Sequence, residues 1–517
     1  MPARFLVVVL VVLAATVGRR SVAAAGRATV TAARGEVRET GLLHLVALGA
    51  ILAVGAALRL DHVFGPMRWD ESYTFLTYGS KPVADAASLY DYPNNHVFHS
   101  LLVHLSCATL SDLRTCGPAA IRVPVFVAGL ALPLAAYVAA ARLFTREVAI
   151  VVAALLAGSG QLAEYSTNAR GYELAALATV VLIALAPDVL RSPNPTYCVL
   201  FAVVGALGFY TVPVMVYPFA VVVVAAGLAI AVGFAAPRRD AAIRLAGAVA
   251  GTIVLTILLY GPILDEVLRG GSAGQPNEYA DEVRPLAKEV WRLWTLGTPA
   301  LVKDLLLAAF AASAVAAAIY RRRTIPLAAA FVLVLASAIA AHRVAPFTRV
   351  WLPLLPVFVM CVIAGILDWP RVREFVRRPL ASAVISVLAV AIAGSLALIV
   401  ERNGYDNTDP SYLPASEPIA KALLPRLRSG DHVLVTIPGW AMEAYAFNRV
   451  GLGQELLSLQ IDKAGAATGQ TYLIVNRMTG ETPESALDAT AKGTGLKPKE
   501  RIGTFREADV YSLARDR

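Results

Sequence analysis

Apolar stretches about 20 residues long recur along the chain, near 42–60, 120–143, 147–163, 172–187, 197–212, 214–235, 243–262, 300–319, 325–341, 349–367 and 380–400. A run of that length crosses the hydrocarbon of a bilayer as an α-helix and is about twice as long as a barrel strand requires. Composition points the same way. Of the 517 residues 57% are apolar and only 16% charged, where a soluble domain carries about 25% charged residues. Fibrous, disordered and cytosolic folds are excluded, and the expected fold is an α-helical polytopic membrane protein with about eleven transmembrane helices. The net charge of +9 resides largely in arginines of short loops, which suits a cytoplasmic membrane face rather than nucleic acid. Four cysteines without a Cys-x-x-Cys pair exclude a zinc ribbon or a redox motif.

A further apolar run, 96–110, carries His96, His99 and His104, and counting it as a span would invert every loop after it. The positive-inside rule decides. If 96–110 does not span, Arg142, Arg146, Arg191, Arg238, Arg239, Arg244, the 321–323 arginine triplet, Arg371, Arg373, Arg377 and Arg378 all face the cytoplasm. The run is therefore expected to lie as an amphipathic helix on the outer surface. This puts an N-terminal segment, 1–41, in the cytoplasm. The run 5–17 has the length of a signal-peptide core, yet cleavage there would export an arginine-rich segment, so a start codon placed too early is the expected explanation. A transmembrane domain follows over 42–400, with a large first outer loop at 61–119. Cys107 and Cys116 in that loop can be bridged or free, the oxidising exterior permitting the bridge.

Composition changes after Val400. The last 117 residues are rich in charge and turn formers, with short strands expected at 432–437, 471–475 and 509–513 and helical stretches around 417–428 and 483–491. A small extracytoplasmic α/β domain is expected over 401–517.

Inside the spans charge is scarce, whereas transporters of polar solutes usually carry ionisable residues there. The candidate chemistry gathers in three outer clusters. The first is Arg68-Trp69-Asp70-Glu71-Ser72-Tyr73 followed by Tyr90-Asp91-Tyr92-Pro93-Asn94-Asn95-His96. Its carboxylates offer a general base, Glu71 and His96 are candidate ligands for a divalent ion, and Trp and Tyr place the pair at headgroup depth. The second runs from Glu164 through Arg170, Gly171 and Tyr172 to Glu173; here Arg170 can snorkel to lipid phosphate or hold the phosphate of a lipid-linked substrate. The third, His342-Arg343 to Arg349-Val350-Trp351-Leu352-Pro353, sets two arginines on the outer side, against the charge bias.

In this order the clusters resemble the polytopic C-type (GT-C) glycosyltransferases, in the branch of protein O-mannosyltransferases and bacterial aminoarabinose transferases. The resemblance rests on Asp70-Glu71, on Tyr92-Pro93-Asn94-Asn95-His96, on Ala169-Arg170-Gly171-Tyr172 and on Arg349 with Pro353. It covers about 42–370. It implies a polyprenyl-phosphate sugar donor, transfer outside the membrane with inversion, and a catalytic carboxylate at Asp70. The sequence departs from the aminoarabinose branch in having Asn-Asn-His where that branch has Lys-Pro-Pro.

The chemistry of the residues fits what the resemblance implies. A sugar on a lipid phosphate has its leaving group in place, so the enzyme needs a base for an acceptor hydroxyl and cations for the departing phosphate. Asp70 would supply the base. Arg170, Arg343 and Arg349 would bind the donor phosphate, while Glu71, Tyr92, Asn94, Asn95, His96, Tyr172 and Glu173 would orient substrate or hold an ion. The expected partners are a polyprenyl-phosphate-linked sugar, membrane lipid and an envelope glycan, lipid or protein acceptor, at the cytoplasmic membrane with the active site on its outer side. A lipid transporter or a scaffold subunit of envelope-glycan assembly is the alternative; it leaves the carboxylates and outer arginines unexplained.

Overall fold

The computed structural model describes residues 41–90, 95–235, 237–270, 283–294, 300–319, 325–342, 348–403, 413–462 and 469–515, with three isolated positions before them. The 5–17 run, Tyr92, Asn94, Arg343 and the 321–323 triplet lie outside the described residues.

The first half of the chain forms α1 (Leu42–His62), α2 (Trp69–Thr74), α3 (Val97–Leu110), α4 (Pro118–Leu143), α5 (Arg146–Ala157), α6 (Gly160–Ser166), α7 (Tyr172–Arg191) and α8 (Pro195–Thr211). Then come α9 (Val216–Ala231), α10 (Arg238–Tyr260), α11 (Val283–Trp294), α12 (Ala300–Ile319), α13 (Leu327–His342), α14 (Leu355–Leu367) and α15 (Pro379–Asn403). Each apolar run of the sequence coincides with helix. Seven helices among the described residues are long and apolar enough to cross a membrane, and an eighth if α5 and α6, bent by 62°, form one span. That is fewer than the eleven expected, because α8 and the apolar parts of α12 and α13 are shorter. The α5–α6 bend falls at Gly158-Ser159-Gly160, where the Ser159 hydroxyl accepts from the Leu162 N–H and starts a new helix.

Burial separates the centre of the bundle from its edge. The span through α14 is 83% buried and that through α10 only 22%, so α14 is central in the bundle and α10 offers Ile243, Ile253, Val254 and Ile257 outward, as lipid contact requires. Gly129 of α4 has a specific use. A side chain there would run into Ser166, so glycine lets α6 lie against α4.

The run 96–110 is a 14-residue helix, α3, and its C-terminal end is tied to the start of α4 by the Cys107–Cys116 disulfide. Beyond α15 lies a small domain with a mixed sheet. Its helices are α16 (Ser416–Leu423), α17 (Ile437–Val450) and α18 (Pro483–Thr490), and its strands β1 (His432–Leu434), β2 (Leu457–Ser458), β3 (Thr471–Asn476), β4 (Leu496–Thr504) and β5 (Ala508–Arg515), in the order β2-β1-β3-β5-β4. β1 is parallel to both its neighbours; β5 is antiparallel to β3 and β4. The expected strand at 432–437 stops at Leu434, since Pro438 occupies the first turn of α17, where its missing N–H costs nothing. β4 carries Pro498 and mostly exposed residues, as an edge strand tolerates.

This domain docks on the loop of residues 61–119. Tyr445 Oη donates to the Cys116 carbonyl (2.7 Å), Asn448 Nδ2 to the Arg114 carbonyl (2.9 Å), and Trp69 Nε1 to the Ile437 carbonyl (3.1 Å).

Candidate active site

α2 places the Asp-Glu pair. Glu71 is the third residue of the helix, where its carboxylate accepts from the Arg68 N–H (2.9 Å), and the helix continues as one π-turn, Phe75–Gly79. Successive helical residues point about 100° apart, so the two carboxylates part company. Asp70 faces a half-open site. Its Oδ2 lies 3.0 Å from Arg349 Nη1 and 3.9 Å from Arg170 Nε, with the Asp70 and Arg349 side chains 24% and 32% exposed. The two guanidiniums therefore converge on one oxygen that solvent reaches.

Arg170 itself is buried and fixed. Nη1 donates to Thr74 Oγ1 (2.7 Å) and Nη2 lies 3.2 Å from His96 Nε2. His96 Nδ1 accepts from the Gly171 N–H at 2.7 Å. Burial, then the charges of Arg170, His99 and Arg349, hold the His96 imidazole well below its ordinary range, so it is neutral. Tyr172 packs edge-on against both His96 (5.0 Å) and Tyr165 (5.7 Å). Thus Asp70, His96, Arg170, Tyr172 and Arg349, spread over almost 280 positions of sequence, meet in one place.

The other expected residues lie differently. Glu71 is fully buried and bound by Arg122, whose Nε (2.8 Å) and Nη2 (2.7 Å) grip its two oxygens, while the Ala169 N–H donates to Oε1 at 2.6 Å. Burial alone would raise the Glu71 carboxyl; the Arg122 charge and these hydrogen bonds outweigh it and hold it below the usual carboxylate range. Asn95 is buried and spans its own loop, donating to the carbonyls of Ala86 (3.1 Å) and Leu89 (2.8 Å) and accepting from Ser100 (2.8 Å). Glu173 is fully buried, and its carboxylate has no hydrogen-bond partner among the described residues.

No group of three or more His, Cys, Asp or Glu side chains that could hold a metal occurs among the described residues. Both ligand candidates are also occupied. Four N–H donors surround the Glu71 carboxylate, and with the one acceptor nitrogen of neutral His96, Nδ1, taken by the Gly171 N–H, Nε2 carries the proton, so neither presents a lone pair to a cation.

Sequence reading misses Arg122 and Thr74, and names Arg68 and Glu164 in separate clusters without pairing them. Arg122 left a signal: a lone arginine at the head of the apolar run 120–143, a position that needs a partner. A cavity of about 570 Å³ opens between Phe64–Met67, the start of α4 and helices α16 and α17; Asp70, Arg170 and Arg349 do not line it.

No family model and no curated protein matches the chain. Solved structures do. ArnT from Cupriavidus metallidurans bound to undecaprenyl phosphate aligns with a TM-score of 0.60 at 12% identity, covering 90% of this chain and 97% of that one. The same protein in its apo state gives 0.57 at 12%, covering 93% and 98%. The Archaeoglobus fulgidus oligosaccharyltransferase in complex with Zn and sulfate gives 0.53 at 12%, covering 87% and 70%. Over about nine-tenths of its length the chain has the fold of ArnT and of the Archaeoglobus fulgidus oligosaccharyltransferase.

Proposed function

We propose that the protein is a membrane glycosyltransferase that moves a sugar from a polyprenyl-phosphate donor to an acceptor hydroxyl of the cell envelope, with inversion, on the outer face of the cytoplasmic membrane. The observation that carries this reading is the meeting of Asp70 Oδ2 with Arg349 and Arg170. One carboxylate and two guanidiniums are what the reaction requires within one sugar's breadth: a base for the incoming oxygen and cations for the outgoing phosphate. The likeness to ArnT bound to undecaprenyl phosphate supports a lipid-phosphate donor.

Asp70 accepts the proton of the acceptor hydroxyl as its oxygen attacks the anomeric carbon. The bond from that carbon to the phosphate oxygen breaks, and the lipid phosphate leaves with the electron pair and one more negative charge. Attack from the side opposite the leaving group inverts the centre. Arg349, resting on Asp70 without substrate, turns its charge to the phosphate beside the fixed charge of Arg170; this frees the carboxylate as it is needed. Neutral His96, accepting from the Gly171 N–H through Nδ1, holds the residue after Arg170 in register.

The test is to incubate membranes containing the protein with radiolabelled polyprenyl-phosphate sugars and follow label into envelope fractions. Transfer that depends on Asp70 supports the reading. Donor binding without transfer of any sugar would instead support a lipid-handling scaffold.

A further inference from the structure

Resting on the clamp reading above, we propose that Glu71 is a positioning residue, the spacer that sets Asp70 and Arg170 at their working separation, with Arg122 as its anchor. The carboxylate is saturated. Oε1 accepts from Arg122 Nε and the Ala169 N–H, and Oε2 from Arg122 Nη2 and the Arg68 N–H, which uses the four lone-pair directions a carboxylate has. Fully buried, it can meet neither substrate nor solvent.

Its partners say what it joins. Ala169 precedes Arg170, and Arg68 stands two residues before Asp70, so one side chain ties the loop that carries the clamp to the loop that carries the base. Arg122 is saturated too. Beyond Glu71 it donates from Nη1 to the carbonyls of Val63 (3.0 Å) and Gly65 (2.7 Å) and from Nη2 to that of Pro66 (2.8 Å), which accounts for all five of its N–H groups. The segment between α1 and α2 is thus stapled to the head of α4, and α2, which follows it, carries Glu71 at a fixed height. Arg170 reaches back to α2 through Thr74, closing a frame around Asp70. Shortening Glu71 by one methylene, about 1.5 Å, must move Ala169 or α2. A misplacement of about 1 Å can cost about 10²-fold in rate.

The experiment is a double-mutant cycle on the full-length protein in detergent, with undecaprenyl phosphate as the probe and its affinity as the readout. Glu71→Asp keeps the charge and alters the length; Arg170→Lys keeps the charge and loses the fork. The expected result is that Glu71→Asp weakens binding about tenfold in the parent, as a charge-assisted contact losing its geometry should, and much less in the Arg170→Lys background. Additive effects would overturn the proposal, because a merely structural defect is blind to the identity of residue 170. Arg122→Lys in the same cycle should reproduce the coupling. If Glu71→Asp and Arg122→Lys both fail to give a monodisperse folded protein, the network holds the fold rather than the spacing, and the proposal falls. If Arg170→Lys alone leaves affinity unchanged, the clamp reading fails first, a result the cycle separates from the others, and the spacer has nothing left to space.

Discussion

Replacing Asp70 by Asn removes the basic oxygen while keeping the shape, and the structure sets two separate magnitudes for the result. A positioned general base contributes about 10²–10⁴-fold, so transfer at saturating donor should fall by that order, or about 3–5.5 kcal/mol of transition-state stabilisation. Donor affinity should move the other way. In the unliganded protein a phosphate competes with the Asp70 carboxylate for Arg349, at 3.0 Å in a half-exposed pair. Such a pair is worth up to about 1 kcal/mol, so its loss should leave undecaprenyl phosphate binding unchanged or up to about fivefold tighter. The assay is paired: initial rates of transfer from a labelled polyprenyl-phosphate sugar in vesicles, and equilibrium binding of undecaprenyl phosphate to the purified variant. A variant that transfers at the parental rate refutes the base assignment. One that keeps its maximal rate but binds donor weakly refutes the division of labour, since Asp70 would then be holding substrate rather than a proton.

The clamp gives the complementary split: Arg349→Ala or Arg170→Ala should each lose a charge-assisted contact of about 1.5–3 kcal/mol, seen as about 10–150-fold weaker undecaprenyl phosphate binding, with Lys rescuing in part. Unaltered binding in both variants would place the phosphate elsewhere. Reporters fused after Arg323 and after Arg517 should report cytoplasm and exterior respectively, as the arginine bias of the loops requires; a cytoplasmic signal at Arg517 would remove the three clusters from the outer face. In the C-terminal domain, burial raises the Glu443 carboxyl well above 4.5, with the Ser416 hydroxyl opposing weakly. The folded state therefore keeps a proton that the unfolded chain gives up, a cost to stability that is absent below about pH 4.5 and grows as pH rises above it. Glu443→Gln should raise the melting temperature at pH 7 and leave it unchanged at pH 4, measured by thermal unfolding; an equal gain at both would show that ionisation is not the cause.

Hydrophobic length makes the bundle legible in the sequence, and the clusters of charged and polar residues between the spans make much of the site legible. Every apolar run is helical, and Asp70, Arg170 and Arg349, drawn from three separate outer clusters by their chemistry and by the resemblance, converge. Length misleads where helices break. α5 and α6 read as one run because Gly158-Ser159-Gly160 is apolar enough not to interrupt it, and the bend comes from the Ser159 cap. In the C-terminal domain β4 was invisible, since an exposed edge strand of Lys, Glu and Arg has no apolar alternation.

The hardest feature was the division between Asp70 and Glu71. As neighbours in sequence they are chemically near-identical, and nothing in their spacing ranks them. The ranking comes from α2. A helix sends adjacent side chains about 100° apart, so only one can face the open site, and the other must point into the protein, where an unpaired carboxylate would be costly. Glu71 is tolerated there because Arg122 waits at the head of α4, and Arg122 is tolerated in an apolar span because Glu71 arrives. Two residues that each look misplaced in the sequence thus account for each other, and their pairing leaves Asp70 as the carboxylate of this pair that a substrate can reach.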